Sequence, residues 1–223
     1  MNEFLSNMFG DLAEMPWWGW LLLAALLAGG VAAFVFLRRK SGKSFWTART
    51  MSVGAMCMAL ASVLSLIKLL PMPMGGSLTP ASMLPLLLFA YVYGTVPGLT
   101  LGVLYGVMQF ILDGGQWIWT GAIPNLLDYP IAFGLLGLAG LFHKLENEKL
   151  GLSLGFFLGC FGRFLASFTS GVVFYAEWAP EGMHPAVYSA GYNAAYMLPE
   201  CLLCIAIGIF VAPRLVRELR KVK

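Results

Sequence analysis

The chain has 223 residues, 59% of them apolar and only 11% charged, with a mean hydropathy of +0.78. Soluble domains carry about a quarter charged residues, so this palette excludes an ordinary water-soluble enzyme and predicts one all-α integral-membrane protein. The net charge of +3 is small. No basic run is interleaved with exposed aromatics, so nucleic acid is not expected as a partner.

A membrane span needs about 20 apolar residues. The first predicted span covers residues 17–37. Glu3, Asp11 and Glu14 precede it, and Arg38, Arg39 and Lys40 follow. A cleavable signal carries its basic residues in front, so this pattern predicts a retained anchor with its N-terminus outside. Six further spans are expected at residues 51–70, 81–93, 97–112, 122–141, 150–174 and 188–211. The Pro- and Gly-rich stretches "PMPMGGSLTP", "GTVPG" and "DGGQ" end three of them. The layout divides into an anchor with a basic linker (1–49), a six-helix core (50–213) and a basic tail (214–223). Twelve of the fourteen Lys and Arg fall in segments 38–50 and 142–149 and in the tail, which the positive-inside rule assigns to the cytoplasm. Cys57, Cys160, Cys201 and Cys204 lie in apolar runs and read as buried thiols.

Charged side chains inside a bilayer are costly and are functional candidates. Lys68 lies near the outer end of its span and can snorkel to the interface. Asp128 lies ~10 Å below the outer surface at 1.5 Å per residue, and Asn193 at a similar depth. Ser167, Gly171 and Tyr175 share one helical face, with Ser167 ~12 Å down. Three spans thus offer polar groups at one level in the outer half, which describes a pocket open to the outside. Arg163 and Glu200 lie deeper, each at the same distance from its outer end, and are expected to form a buried ion pair between two helices. Tyr188 and Asn193 enter the membrane with Asp128 at hand, and Trp117 and Trp119 offer a rim. Aromatic faces with one carboxylate suit a planar, cationic or amidine-like ligand.

Other chemistry is missing from the sequence. Lys43 sits in "SGKS", but Leu37 stands where a phosphate-binding loop requires glycine. His143 and His184 lie on opposite sides of the expected membrane, so a metal site or a His-based catalytic group is not expected. No cofactor is implied. Ala55 and Ala59 form a small-x-x-x-small pair that lets another helix approach, either in this chain or in a partner.

The stretches "MGGSLTPASMLPLLLFAYVYG", "LLDYPIAFGLLGLAG" and "GRFLASFTSGVVFYAEWAPEGMHPAVYSAGYNAAYMLPE" resemble the thiamine-specific S component of energy-coupling factor transporters. The likeness runs from about Thr50 to Val211. It implies a six-helix S-component core with one extra N-terminal transmembrane helix. It further implies a vitamin site near the outer face, with a membrane scaffold subunit and two ATPase subunits as partners. On this resemblance Asp128, Tyr129, Tyr188 and Asn193 match binding positions, Gly171 is a point where backbone approaches the ligand, and Met74, Gly75 and Gly76 form a lid. Arg163, Ser167 and Tyr175 complete the expected site, and Ala55 and Ala59 dock the scaffold. Three positions depart from the family pattern: Asp128 replaces a usual Glu, Ser167 a usual His and Tyr175 a frequent Trp. The expected ligand is therefore thiamine, with a related pyrimidine such as hydroxymethylpyrimidine, or a phosphorylated form, as the alternative. A stand-alone facilitator would need polar residues reaching both faces, and the inner half is nearly bare.

Overall fold

The computed structural model describes residues 46–73, 75–113 and 121–222. The anchor expected at residues 17–37, the basic linker as far as residue 45, Met74, Trp117 and Trp119 lie outside the described residues.

Helix α1 (Ala48–Leu66) starts where the Thr47 side chain accepts the Thr50 N–H at 3.2 Å, an N-cap that satisfies one orphan donor. It ends four residues earlier than the span expected from hydropathy. Leu70–Pro71 (β1) instead pairs antiparallel with Ser77–Leu78 (β2), Leu70 opposite Leu78. The Pro/Gly stretch is therefore a short hairpin carrying the expected lid loop at its tip. Lys68 is exposed just beyond α1.

Helix α2 (Leu84–Tyr93) has Pro85 in its first turn, and every residue from Pro85 to Tyr93 is buried. Ten residues make ~15 Å of helix, about half a bilayer core. An all-round apolar helix of this length is stable because protein surrounds it. Gly94, at φ 103°, separates α2 from α3 (Thr95–Leu112). That left-handed backbone is open to glycine at little cost, and it folds α3 back onto α2.

Helix α4 (Ile123–Phe142) crosses against α3. Three glycines on one face of α3 make the crossing close. A Cβ at Gly98 would lie 3.0 Å from the Gly137 Cα, one at Gly102 2.9 Å from the Gly134 Cα, and one at Gly106 2.7 Å from the Pro130 Cα. Helix association in membranes relies on such close packing, since lipid tails supply no hydrophobic drive. Within α4 the backbone widens to a π-turn at Leu127–Ile131 and tightens to a 3-10 turn at Leu136–Phe142. Pro130 lies in the π-turn and has no N–H to donate.

Helix α5 (Glu148–Phe174) is capped by Asn147, whose Oδ1 accepts from the Leu150 N–H at 3.1 Å. Helix α6 (Pro185–Phe210) is capped by His184 and lies along α5. The basic tail forms α7 (Ala212–Val222), with Val216 wholly buried. Five of these helices are long and apolar enough to cross a membrane, and α2 is a shorter apolar helix. The four cysteines are free thiols, and Cys160, Cys201 and Cys204 are buried.

Gly102→Val places a branched side chain onto the Phe133 carbonyl and the Gly134 backbone. Overpacking of this kind costs about 1–3 kcal/mol, and here backbone must move. The variant is expected to melt well below the parent in detergent, whereas Thr100→Val, on the half-buried face of the same helix, should melt near it. Equal melting temperatures for Gly102→Val and the parent would contradict the close crossing.

Candidate functional site

A cavity of about 460 Å³ lies among α3, α4, α5, α6 and the hairpin. That volume falls in the range of small-molecule sites. All eight residues expected to bind ligand line it: Asp128 and Tyr129 from α4, Arg163, Ser167, Gly171 and Tyr175 from α5 and its C-cap, and Tyr188 and Asn193 from α6. Gly75 and Gly76 of the expected lid line it too.

The α4 π-turn carries Asp128 and Tyr129. Such turns inside helices are frequent at functional sites, and this one offers a carboxylate and a phenol side by side. Ser170 Oγ donates to Asp128 Oδ2 at 2.7 Å, and the Ser167 hydroxyl also hydrogen-bonds the carboxylate. The Tyr129 ring meets Phe110 edge-on at 5.4 Å. Tyr188, Tyr192 and Tyr196 make a ladder along α6, with successive centroids 6.1 and 6.0 Å apart.

The orientation of Asn193 follows from its neighbours. The Tyr196 hydroxyl donates to Asn193 Oδ1 at 2.9 Å. The amide nitrogen then donates to the Ser189 carbonyl at 3.0 Å and approaches the Ser167 carbonyl at 3.4 Å. Gly171 faces the cavity, and its lack of a side chain also serves packing: a Cβ there would collide with the Ser189 hydroxyl of α6.

The expected Arg163–Glu200 ion pair does not form. Glu200 is 2% exposed, and its Oε1 accepts from Thr79 Oγ1 at 2.6 Å, Ser82 Oγ at 2.8 Å and the Met83 N–H at 3.4 Å. The hydroxyl-rich turn after the hairpin supplies the donors that a guanidinium was expected to supply. The Arg163 guanidinium lies over the Phe133 ring, 4.2 Å from its centroid, a cation–π contact, and its Nε has no hydrogen-bond partner. Equal depth did not decide which way the two side chains face. Both line the cavity, and Glu200 ties α6 to the base of the hairpin. Gly76 sits against Tyr196, where a Cβ would come within 2.8 Å of the ring.

Several cavity residues were not expected from sequence. Tyr105, Gln109 and Asp113 project from α3 into the cavity. Their four-residue spacing was visible in the sequence, but Asp113 read as part of a loop break and the other two are uncharged. Ser170, the partner of Asp128, is one residue away from the face expected for the site. Ala55 and Ala59 are both exposed, so packing within the described chain does not consume them.

An apolar helical bundle enclosing a polar, aromatic-lined cavity defines a multi-pass membrane protein that binds a small polar solute. The sequence profile of the thiamine transporter protein family (Thia_YuaJ) matches residues 51–219, and the chain belongs to that family. It is accordingly a transport protein and not an enzyme. It is similar to thiamine transporter ThiT of Bacillus subtilis, with 33% identity over 74% of this chain and 92% of the relative. ThiT of Lacticaseibacillus paracasei is 35% identical over 60% of this chain and 73% of the relative. The solved structure of ThiT from Listeria monocytogenes has the same fold, with a TM-score of 0.65 at 22% identity, covering 75% of this chain and 96% of that one.

Removing the Glu200 carboxylate strands two hydroxyls and an N–H in a buried site, each costing about 1–3 kcal/mol. Glu200→Ala should therefore lower the melting temperature strongly, and Glu200→Gln, which keeps an acceptor, much less. Arg163→Met should cost less than Glu200→Ala. Equal losses from Arg163→Met and Glu200→Ala would restore the ion pair as the stabilising contact.

Proposed function

We propose that this protein captures thiamine in the outer-half cavity and is the substrate-binding subunit of an energy-coupling factor transporter. The observation that carries the ligand assignment is the charge of the cavity. Asp113, Asp128, Glu177 and Glu200 line it against a single cation among the described residues, Arg163. A net-negative, aromatic-walled site favours a planar cation. Thiamine is such a cation; a free hydroxymethylpyrimidine is neutral, and the charge balance favours the whole vitamin over it.

Asp128 supplies the recognition of the aminopyrimidine ring. That ring presents a nitrogen acceptor beside an exocyclic amino donor, and a carboxyl group complements both edges if a proton is shared with the ring nitrogen. Ser170 occupies one carboxylate oxygen and sets the direction of the group. Tyr129, Tyr188 and Tyr192 supply ring faces, and Asn193, fixed by Tyr196, supplies a polar edge at the level of Asp128. Ser167 is smaller than the usual histidine and leaves room there. Gly75 and Gly76 belong to the lid over the site, with Met74 between Pro73 and Gly75 in sequence.

The partners are a membrane scaffold subunit and two ATPase subunits. The exposed Ala55 and Ala59 present a small-residue strip on α1, bordered by the exposed Met51, Met56 and Leu60. This strip suits close approach by a scaffold helix. The basic segments orient the protein in the cell membrane with its C-terminus in the cytoplasm and the cavity facing out. The binding core occupies residues 50–213, followed by the basic tail at 214–223.

Two measurements test this reading. Thiamine titrated into the purified protein should bind, and Asp128→Asn should weaken it by roughly 30-fold or more, as expected for loss of a buried, charged hydrogen-bonded contact of about 2–5 kcal/mol. A stable Asp128→Asn variant that binds thiamine as tightly as the parent would remove this residue from the site. In cells with the full transporter, Ala55→Trp should abolish thiamine uptake while the isolated variant still binds thiamine. Normal uptake by Ala55→Trp would refute the docking assignment.

A further inference from the structure

We propose that Asp113 is a second ligand-reading carboxylate, which selects for the permanent positive charge of the vitamin's thiazolium ring while Asp128 reads the pyrimidine. The inference rests on thiamine being the ligand.

Asp113 ends α3 as its C-cap residue and lines the cavity. Helix C-termini carry negative partial charge, so a carboxylate is unfavourable there and a cation is favoured. Three buried side chains nonetheless hold this carboxylate in place. The Tyr105 hydroxyl donates to Gln109 Oε1 at 3.0 Å, and Ser65 Oγ lies 3.2 Å from the same oxygen. The Tyr105 contact fixes the amide so that its nitrogen faces Asp113 one turn further along α3. Gln109 Nε2 then donates to Asp113 Oδ2 at 3.2 Å. Ser65, Tyr105 and Gln109 are all buried, so the relay is rigid and aims one oxygen of Asp113 at the amide.

The result parallels Asp128, where Ser170 holds one oxygen. Two carboxylates on neighbouring helices are thus each held by two protein side chains, Asp128 by Ser170 and Ser167 and Asp113 by Gln109 and Tyr129. Tyr129 follows Asp128 on the π-turn and its hydroxyl hydrogen-bonds Asp113 across the cavity wall, so a ligand stacked on Tyr129 meets a carboxylate from each helix. Thiamine has two ring systems joined by a methylene, one that hydrogen-bonds through an aminopyrimidine edge and one that is a permanent cation. The cation has no donor to satisfy a directional acceptor, and it needs only negative potential. The α3 C-terminus and Asp113 together provide that potential.

The test compares thiamine with its neutral isostere in which a thiophene replaces the thiazolium ring, each titrated calorimetrically into detergent-purified protein. The parent should prefer thiamine by about tenfold or more, a modest part of the attraction between two partly screened opposite charges. Asp113→Asn should bind the neutral isostere as the parent does and lose most of the preference for thiamine. Asp128→Asn should weaken both compounds together. Gln109→Leu, which releases the carboxylate from its relay, should reduce the preference in part. A parent that binds thiamine and its isostere equally overturns the Asp113 assignment, even if no variant folds. So does an Asp113→Asn variant that keeps the parent's preference or loses both compounds equally. A parent that binds no thiamine would instead refute the ligand assignment itself.

Discussion

The absence of water in the bilayer core is the constraint on which this structure depends. A polar group placed there must find its partner in the protein or in a ligand. The cavity contains many such groups, and nearly all are tied into short networks. Glu200 collects three donors from the turn after the hairpin. Asn193 is held by Tyr196 and Ser189. Gln109 is held by Tyr105 and holds Asp113. What these networks leave over is confined to a few oxygens and ring faces turned toward the cavity.

Positioning such groups requires backbones that do not slide. The glycine face of α3 brings α4 close enough that backbone touches backbone along three turns. This crossing fixes Asp113 on one helix relative to Asp128 on the other. The π-turn at Leu127–Ile131 sits directly beside Gly106 of that seam. The irregular backbone that presents Asp128 and Tyr129 is therefore braced by a crossing in which Gly98, Gly102 and Gly106 let backbone meet backbone. Irregular helices are tolerated at membrane depth where they are packed in protein or line a cavity, and here both conditions hold.

Helix α6 connects this rigid half to the hairpin. From its N-terminal end onward it carries Tyr188, Ser189, Tyr192, Asn193, Tyr196 and Glu200 along one face. Tyr196 packs against Gly76 near the hairpin tip and hydrogen-bonds Asn193 at the site. Glu200 pins the segment that follows the hairpin. A hairpin built on two-residue strands has little stability of its own, and these contacts with α6 set where its base rests.

The sequence by itself determined the membrane class, the order of the apolar helices and the level along its helix at which each polar group sits. Low charge and apolar run length carry that information, and a helix converts residue number into depth at a constant rise. The eight expected binding residues came together for this reason. Depth says nothing about direction, however. Arg163 and Glu200 lie at matching depth, yet one rests on Phe133 and the other on Thr79 and Ser82, because helix rotation is set by packing against neighbours. Asp113 joined the site, and the expected last turn of the first core span gave way to a hairpin strand at Leu70, for related reasons: both lie at helix ends, where partners in space decide the backbone's course. Only the tertiary structure could decide that the short α2 is enclosed by protein, that Gly171 makes room for Ser189, and that two carboxylates on separate helices flank one tyrosine.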